Sequence, residues 1–184
     1  MNGFLKKAAL VLGIVAAAVG IYLVGIQVTG NFAVVVPGEV YRSNQPTAAA
    51  IARYAGRYGI RTIINLRGRQ EKEAWYQEEA AAARRLGIGL VDFPMAADQR
   101  LDAEGAAKLV AILKDAPRPI LIHCRSGADR TGLASVIYLA KVAKVDEETA
   151  ERQLSVRYGH IGIPLLSPTY AMDESWEALE TAGS

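Results

Sequence analysis

One cysteine, Cys124, stands in a chain of 184 residues, inside the string ILIHCRSGADRTGLASVIYL. An apolar, β-branched run delivers it, five residues containing Gly127 follow, and Arg130-Thr131 open an apolar stretch of helical character. A strand that ends in a tight loop and passes directly into a helix exposes backbone N–H groups at the helix start, a ready site for an anion. Successive amides from Arg125, Ser126, Gly127, Ala128 and Asp129 to Arg130 can form a nest around a tetrahedral oxyanion, with glycine where a Cβ would block the curl. Arg130 adds a permanently charged planar fork able to grip two oxygens. The same field lowers the pKa of a thiol, and the thiolate is the nucleophile. Cys124 would then sit at the floor of an anion cradle, below a bound phosphorus, and the Thr131 hydroxyl is placed to donate to its sulfur. His123 reads as a loop-ordering residue rather than a metal ligand, because no clustered His, Cys or acidic partners surround it. A lone cysteine is more often a small buried hydrophobe. The complete string, placed between strand and helix, favours the chemical reading.

The elements that must hold these residues follow from periodicity. Val40 and Tyr41 lie in a short extended piece ending at the turn SNQP. Thr47 is expected to cap a helix through Tyr58, with Ile51, Tyr54, Ala55 and Tyr58 on one face and Gly59 as its stop. RTIINL (61–66), IGLVDFP (88–94) and PILIHC (119–124) read as strands. The stretch GRQEKEAWYQEEAAAARRLG, residues 68–87, holds a helix, acidic early and basic late. Asp102 is expected to cap a helix carrying Leu109, Val110 and Leu113. Further helices are expected from about Thr131 to Lys144, near 146–158 and near 168–181. Strands alternating with helices predict an α/β fold: a compact domain with a largely parallel central sheet flanked by helices. In such sheets, ligands bind outside the carboxyl ends of the strands, which is where Cys124 falls.

HCRSGADRTG resembles the HCxxGxxR[ST]G loop of the cysteine-dependent protein tyrosine phosphatase superfamily, and the compact α/β layout resembles its dual-specificity branch. VYRSNQPT, GIRTIINLRG and LVDFPMAAD resemble bacterial members and the plant and fungal atypical dual-specificity group. The likeness spans roughly residues 38–160. It implies a metal-independent enzyme without cofactor, in which Cys124 forms a phosphocysteine, Arg130 clamps the phosphate and Thr131 partners the sulfur. It also implies a general acid on a loop upstream of the cysteine. Asp98, in PMAADQRLD between a strand and a helix, fits that context. Asp92 lies inside a strand run and reads as structural, and Asp102 reads as a cap. Asp129 complicates the assignment, since a G-x-D-R-T loop is similar to that of lipid- and inositol phosphate-directed relatives. Its plainer reading is a pairing with a neighbouring arginine that shapes the loop. Arg67, Arg69, Arg100 and Arg125 are candidates for the mouth, where together they would suit a substrate with more than one phosphate. Trp75 and Trp176 read as core or helix-packing residues.

Residues 8–26, AALVLGIVAAAVGIYLVGI, carry neither charge nor proline. At 1.5 Å per residue they make about 28 Å of helix, enough to cross a bilayer core. Residues 1–30 are accordingly expected to be a membrane anchor or uncleaved signal, followed by a short tether over 27–38. Residues 31–184 would form the catalytic domain. A cleaved signal peptide competes with this reading, but the apolar run is long for one and no clear A-x-A site follows. Lys6 and Lys7 precede the run, so the N-terminus is expected to stay cytoplasmic and the domain to face outward, into the periplasm of a Gram-negative host. These two lysines account for the whole net charge of +2, that is 21 basic minus 19 acidic residues. The rest of the chain is formally neutral, which argues against nucleic-acid binding. One cysteine excludes a disulfide scaffold.

Three functions follow from these readings. The first is a phosphomonoester hydrolase acting on phosphorylated protein through phosphocysteine. The second uses the same site on phosphoinositides or inositol phosphates. The third is a non-catalytic phosphate-binding module, which the retained cysteine and arginine disfavour. Rhodanese-type sulfur transfer also uses a loop cysteine, but the RTG continuation fits it poorly.

Overall fold

β-branched tetrapeptides form the centre of the molecule, here described for residues 3–181 of a computed structural model. The strands are β1 (Ala33–Val36), β2 (Val40–Ser43), β3 (Thr62–Asn65), β4 (Gly89–Asp92) and β5 (Ile120–His123), in the order β1-β2-β5-β3-β4. β2, β5, β3 and β4 are parallel, and β1 is an antiparallel edge. The register aligns Ser43, His123, Asn65 and Asp92 in one row at the carboxyl ends of the four parallel strands. The loop that carries Cys124 leaves the sheet from this row, directly after His123.

Every residue of β2, β3 and β5 is buried, as befits parallel strands covered on both faces. Alternation divides them between two cores. Val40, Ile64, Ile120 and Ile122 face Leu109, Leu113, Leu133, Met172 and Trp176. Tyr41, Ile63 and Leu121 face Ile51, Tyr54, Ala82 and Ala83. The helices follow from local signals. In α2 (Ala48–Tyr58) the Thr47 side chain accepts from Ala50 N, and Gly59 ends the helix at φ 68°. In α4 (Ala103–Asp115) Asp102 accepts from Gly105 N. The helix after Gly68 begins later than its composition suggests, as α3 (Ala74–Leu86). Its first turn carries no acid and the cap position Glu73 makes no side-chain cap, while Arg84 and Arg85 lie in the last turn.

The helix after the loop, α5 (Asp129–Ile137), starts two residues before Thr131 and widens into a π-helical turn over Tyr138–Val142. The C-terminal stretches are α6 (Glu147–Glu151), single 3₁₀ turns at Val156–Tyr158 and Pro168–Tyr170, and α7 (Ala171–Thr181). Trp176 is 3% exposed in the core, whereas Trp75 is only half-buried on the site side of α3.

The expected tether over 27–38 is replaced by regular structure. The first helix, Gly3–Val28, absorbs Gln27 and Val28, and Ala33–Val36 pair with β2. Nothing breaks the helix before Gly30, which turns at φ 92°, and the VVV run finds an unpaired sheet edge. Phe32 fastens the turn by stacking on Tyr54 and Tyr58, with ring centroids 4.3 and 4.9 Å apart. The helix itself has no buried residue, and among the described residues it is the one long and apolar enough to cross a membrane.

Candidate active site

Residues 124–128 wrap from β5 into α5, and the carbonyls of residues 125–128 are claimed from outside the loop. Arg125 O accepts from Gln45 N at 3.2 Å. Ser126 O accepts from Gln27 Nε2 and Asn31 Nδ2, each at 2.9 Å. Gly127 O accepts from Arg42 Nη2 at 2.7 Å. Ala128 O accepts from Gly132 N at 2.8 Å. With the acceptors turned outward, the amides are free to face inward, the geometry of an anion nest. The Gly127 amide donates to Cys124 Sγ at 3.3 Å, and the cysteine is 1% exposed. Gly127 sits at φ +71°, and a Cβ there would lie 2.6 Å from Asn44 N. The packing, and not only the turn, therefore requires glycine.

Arg42 was the residue least visible in the sequence. It is fully buried beneath the loop, its second arm donating to Gln153 O and Oε1 at 2.8 Å and its guanidinium lying 3.8 Å from the Tyr158 ring centre. Burial pulls its pKa down to about 10, against the opposing pull of Tyr158, Cys124 and Asp129. It remains cationic at neutral pH and adds positive potential under the sulfur. The only hint in the sequence was its place in VYRSNQPT.

Arg130 divides its fork. Nη1 donates to Met95 O at 3.0 Å and Leu66 O at 3.4 Å, tying it to the loops after β3 and β4, while Nε is buried with no partner among the described residues. An unmet buried donor costs free energy that an oxyanion would recover. The Thr131 hydroxyl is likewise buried without a partner, so the expected bond to the sulfur is not formed in this geometry. His123 is bonded at Nε2 to Glu79 Oε1 at 2.6 Å, both side chains at 0% exposure. Glu79 Oε2 accepts from Gln45, and Gln45 accepts from Arg67, which lies 3.5 Å over the Trp75 ring. This chain from α3 to the strand end was missed in the sequence, where Glu79 is one acid among several in a helix.

Of the candidate acids, Asp92 is structural: it accepts from Asn65 Nδ2 and from the Tyr76 hydroxyl. Asp98 is exposed, on the loop after β4, in a depression shared with Leu165, Leu166 and Tyr170. Asp129 is not paired with an arginine. Its partner is His160, 3% exposed, whose Nδ1 lies 2.8 Å from Asp129 Oδ1 and whose Nε2 lies 2.9 Å from Asp173 Oδ2. Burial opposes charging of that imidazole, but the two carboxylate hydrogen bonds prevail and hold it above the usual histidine range. A spacing of 31 residues hides this pair from local sequence reading. Of the four arginines expected at the mouth, Arg67 feels the charges of Arg130 and Arg125. Burial and these two like charges lower the pKa of Arg67. Arg69 turns away to Glu71, and Arg100 lines a separate depression beside Phe93 and Gly105. Among the described residues no cluster of His, Cys, Asp or Glu is arranged to hold a metal.

Comparison with known proteins agrees with this geometry. Residues 35–161 match the family described as DSP-PTPase phosphatase fused to NAD+ kinase. The dual specificity protein phosphatase TpbA of Pseudomonas aeruginosa is 28% identical over 117 residues, 62% of this chain. That match spans about half, 49%, of the relative's length. The crystal structure of P. aeruginosa TpbA has a TM-score of 0.65 at 23% identity, covering 84% of this chain and 88% of that one. A cysteine-to-serine variant of TpbA in complex with phosphotyrosine gives 0.54 at 22% identity, over 77% and 95%. The core catalytic domain of the PP-IP phosphatase SIW14 from S. cerevisiae, in complex with citrate, gives 0.59 at 23% identity, over 83% and 93%. With two thirds of its length inside that family match, the chain belongs to the family described as DSP-PTPase phosphatase fused to NAD+ kinase, and it shares the α/β fold of TpbA.

Proposed function

We propose that the protein hydrolyses phosphomonoesters through a phosphocysteine at Cys124, with phosphotyrosine-type protein substrates as the main reading. The observation that carries this is the loop around the sulfur: an amide donating to Sγ, outward-bonded carbonyls and the buried Arg42 below. These features favour thiolate and tetrahedral oxyanion together. In the first step Sγ attacks phosphorus and the bond to the leaving oxygen breaks, with Asp98 giving that oxygen its proton. In the second, Asp98 takes a proton from water, the water oxygen attacks phosphorus, and the S–P bond breaks to return the thiolate and release phosphate. Arg130 binds the equatorial oxygens through the donor it does not spend on Met95, and the amides of Arg125, Ser126, Gly127, Ala128 and Asp129 complete the cradle. His123 keeps the end of β5 in place through Glu79. Thr131 is assigned to the sulfur as it becomes a leaving group. TpbA holds phosphotyrosine in its serine variant, which supports this substrate class.

A second reading, inositol phosphates or phosphoinositides, is favoured by the proximity of Arg67, Arg125 and Arg130 and by the description of SIW14 as a PP-IP phosphatase. We assign the first helix to a single-pass anchor, with the domain on the extracytoplasmic side as the two N-terminal lysines direct. Two measurements test the proposal. Rates on phosphotyrosine peptide and on inositol phosphates rank the substrates. Asp98→Asn should slow poor leaving groups far more than good ones, and an equal loss for both removes Asp98 from the acid role.

A further inference from the structure

The first helix does not leave the domain through a linker. Its last turns lie against the segment that follows α6 and against the phosphate loop. Gln27 Nε2 donates to Ser126 O, Asn44 Nδ2 donates to Gln27 O at 2.9 Å, and Asn31 Nδ2 donates to Tyr158 O at 2.8 Å. Further back along the helix, the Tyr22 hydroxyl donates to Arg157 O at 2.7 Å, and Gly159 sits so close that a Cβ would lie 3.3 Å from Ile26 Cδ1. Tyr22 precedes Gln27 by about 7.5 Å along the axis, and both Tyr22 and Ile26 belong to the uncharged run 8–26. Residues 157–159 therefore stand beside the apolar helix itself, not above it. If that run lies in a bilayer, these residues lie at its interface, where an aromatic such as Tyr22 is at home.

The chain then continues as His160-Ile161-Gly162-Ile163-Pro164-Leu165-Leu166. Ile161 is 40% exposed, Ile163 46%, Leu165 fully and Leu166 78%. From Tyr158 to Met172 the only ionisable side chains are His160, which is buried, and the tyrosines Tyr158 and Tyr170. Leu165 is held outward at φ +65°, a conformation unusual for a side chain of this size. The far end of the loop reaches the depression that holds Asp98. An exposed, charge-free apolar loop thus runs from the anchoring helix to the rim of the proposed active site.

We propose that residues 161–166 are a second membrane contact, inserting into the bilayer interface beside the first helix and fixing the mouth of the phosphate pocket at the membrane surface. The membrane contact rests on the anchor reading above, and its effect on turnover rests also on the hydrolytic one. The occupant is lipid, because the patch is continuous with a helix whose apolar surface has no other cover among the described residues. Burial of isoleucine and leucine side chains at the interface drives the insertion, and the absence of charge removes the main cost of entering it.

The full chain, reconstituted in phosphatidylcholine vesicles, tests this with Leu165→Trp, read against wild-type emission from Trp75 and Trp176. The added fluorescence should be blue-shifted and quenched by lipids brominated near the carboxyl end of the acyl chain. A water-like, unquenched emission in protein that floats with the vesicles would overturn the loop contact and leave the anchor standing. A blue-shifted emission that brominated lipid does not quench would show a protein partner covering the loop, also against the proposal. Failure of the wild-type chain to float would remove the anchor, and the proposal with it. Ile161→Ser/Ile163→Ser, at exposed loop residues outside the depression that holds Asp98, supplies the converse. Turnover of a soluble aryl phosphate should be unchanged, while release of phosphate from a phosphoinositide in the same vesicles should fall by about tenfold. Equal loss on both substrates would mean that the loop serves folding and not the membrane.

Discussion

Replacing Gly127 by alanine should lower activity and stability together. The added Cβ would lie 2.6 Å from Asn44 N and 2.7 Å from both the carbonyl carbon and oxygen of Ser43. To relax the closest of these to an ordinary 3.4 Å contact, one side must withdraw by about 0.8 Å. Ser43 cannot yield easily, because it ends β2 in register with His123 and the next amide is bonded to Gly30 O. The phosphate loop therefore moves. The left-handed backbone costs a further 1–2 kcal/mol, roughly, for a residue with a Cβ. Weakening of the Gly127–Arg42 and Gly127–Sγ contacts brings the total to about 2–4 kcal/mol. A displacement near 1 Å in a positioned site costs on the order of 100-fold in rate. Steady-state turnover of an aryl phosphate should thus fall by about two orders of magnitude, while urea unfolding stays cooperative with a midpoint lowered by about 1–2 M. If kcat/KM changes by less than about threefold, the packing of the loop against Ser43 does not set the geometry of the reaction, and the reasoning fails.

Two further outcomes test the surroundings of the loop. Arg42→Lys keeps a charge but not the fork that holds Gly127 O and Gln153 at once. Turnover of an aryl phosphate should fall by about tenfold or more, and an unchanged rate would show that the Arg42 fork does not hold the loop in its working geometry. The His160 pair should make stability pH-dependent. Because its folded pKa is raised, its contribution is complete below the free imidazole value of about 6.5. It is lost as pH rises through the raised value. Urea midpoints should decline across that window in the wild type and lose the decline in His160→Gln; a parallel decline in both would refute this.

The sheet and the loop were legible because their signals are local. A β-branched tetrapeptide specifies a strand, Thr47 and Asp102 specify caps, and HCRSGADRTG is contiguous, so order along the chain is order in space. What supports the loop was not legible, because it comes from afar. Arg42 meets Gln153 across 111 residues, Glu79 meets His123 across 44, and Asp129 meets His160 across 31. None has a periodicity, and each looks like an ordinary surface charge until the fold buries it. The stretch 68–87 does hold a helix, α3, but its start at Ala74 was not legible because no capping side chain marks it. The tether failed because an edge strand four residues long needs a neighbour to exist, and only the fold supplies β2.

The central claim is a covalent phosphocysteine at Cys124. Rapid acid quenching of the Asp98→Asn variant during turnover of an aryl phosphate, followed by peptide mass spectrometry, tests it most directly. One phosphoryl group is expected on the peptide containing Cys124, with its loss, together with all turnover, in Cys124→Ser. Turnover that persists in Cys124→Ser, or a phosphoryl group trapped on another residue, would contradict it.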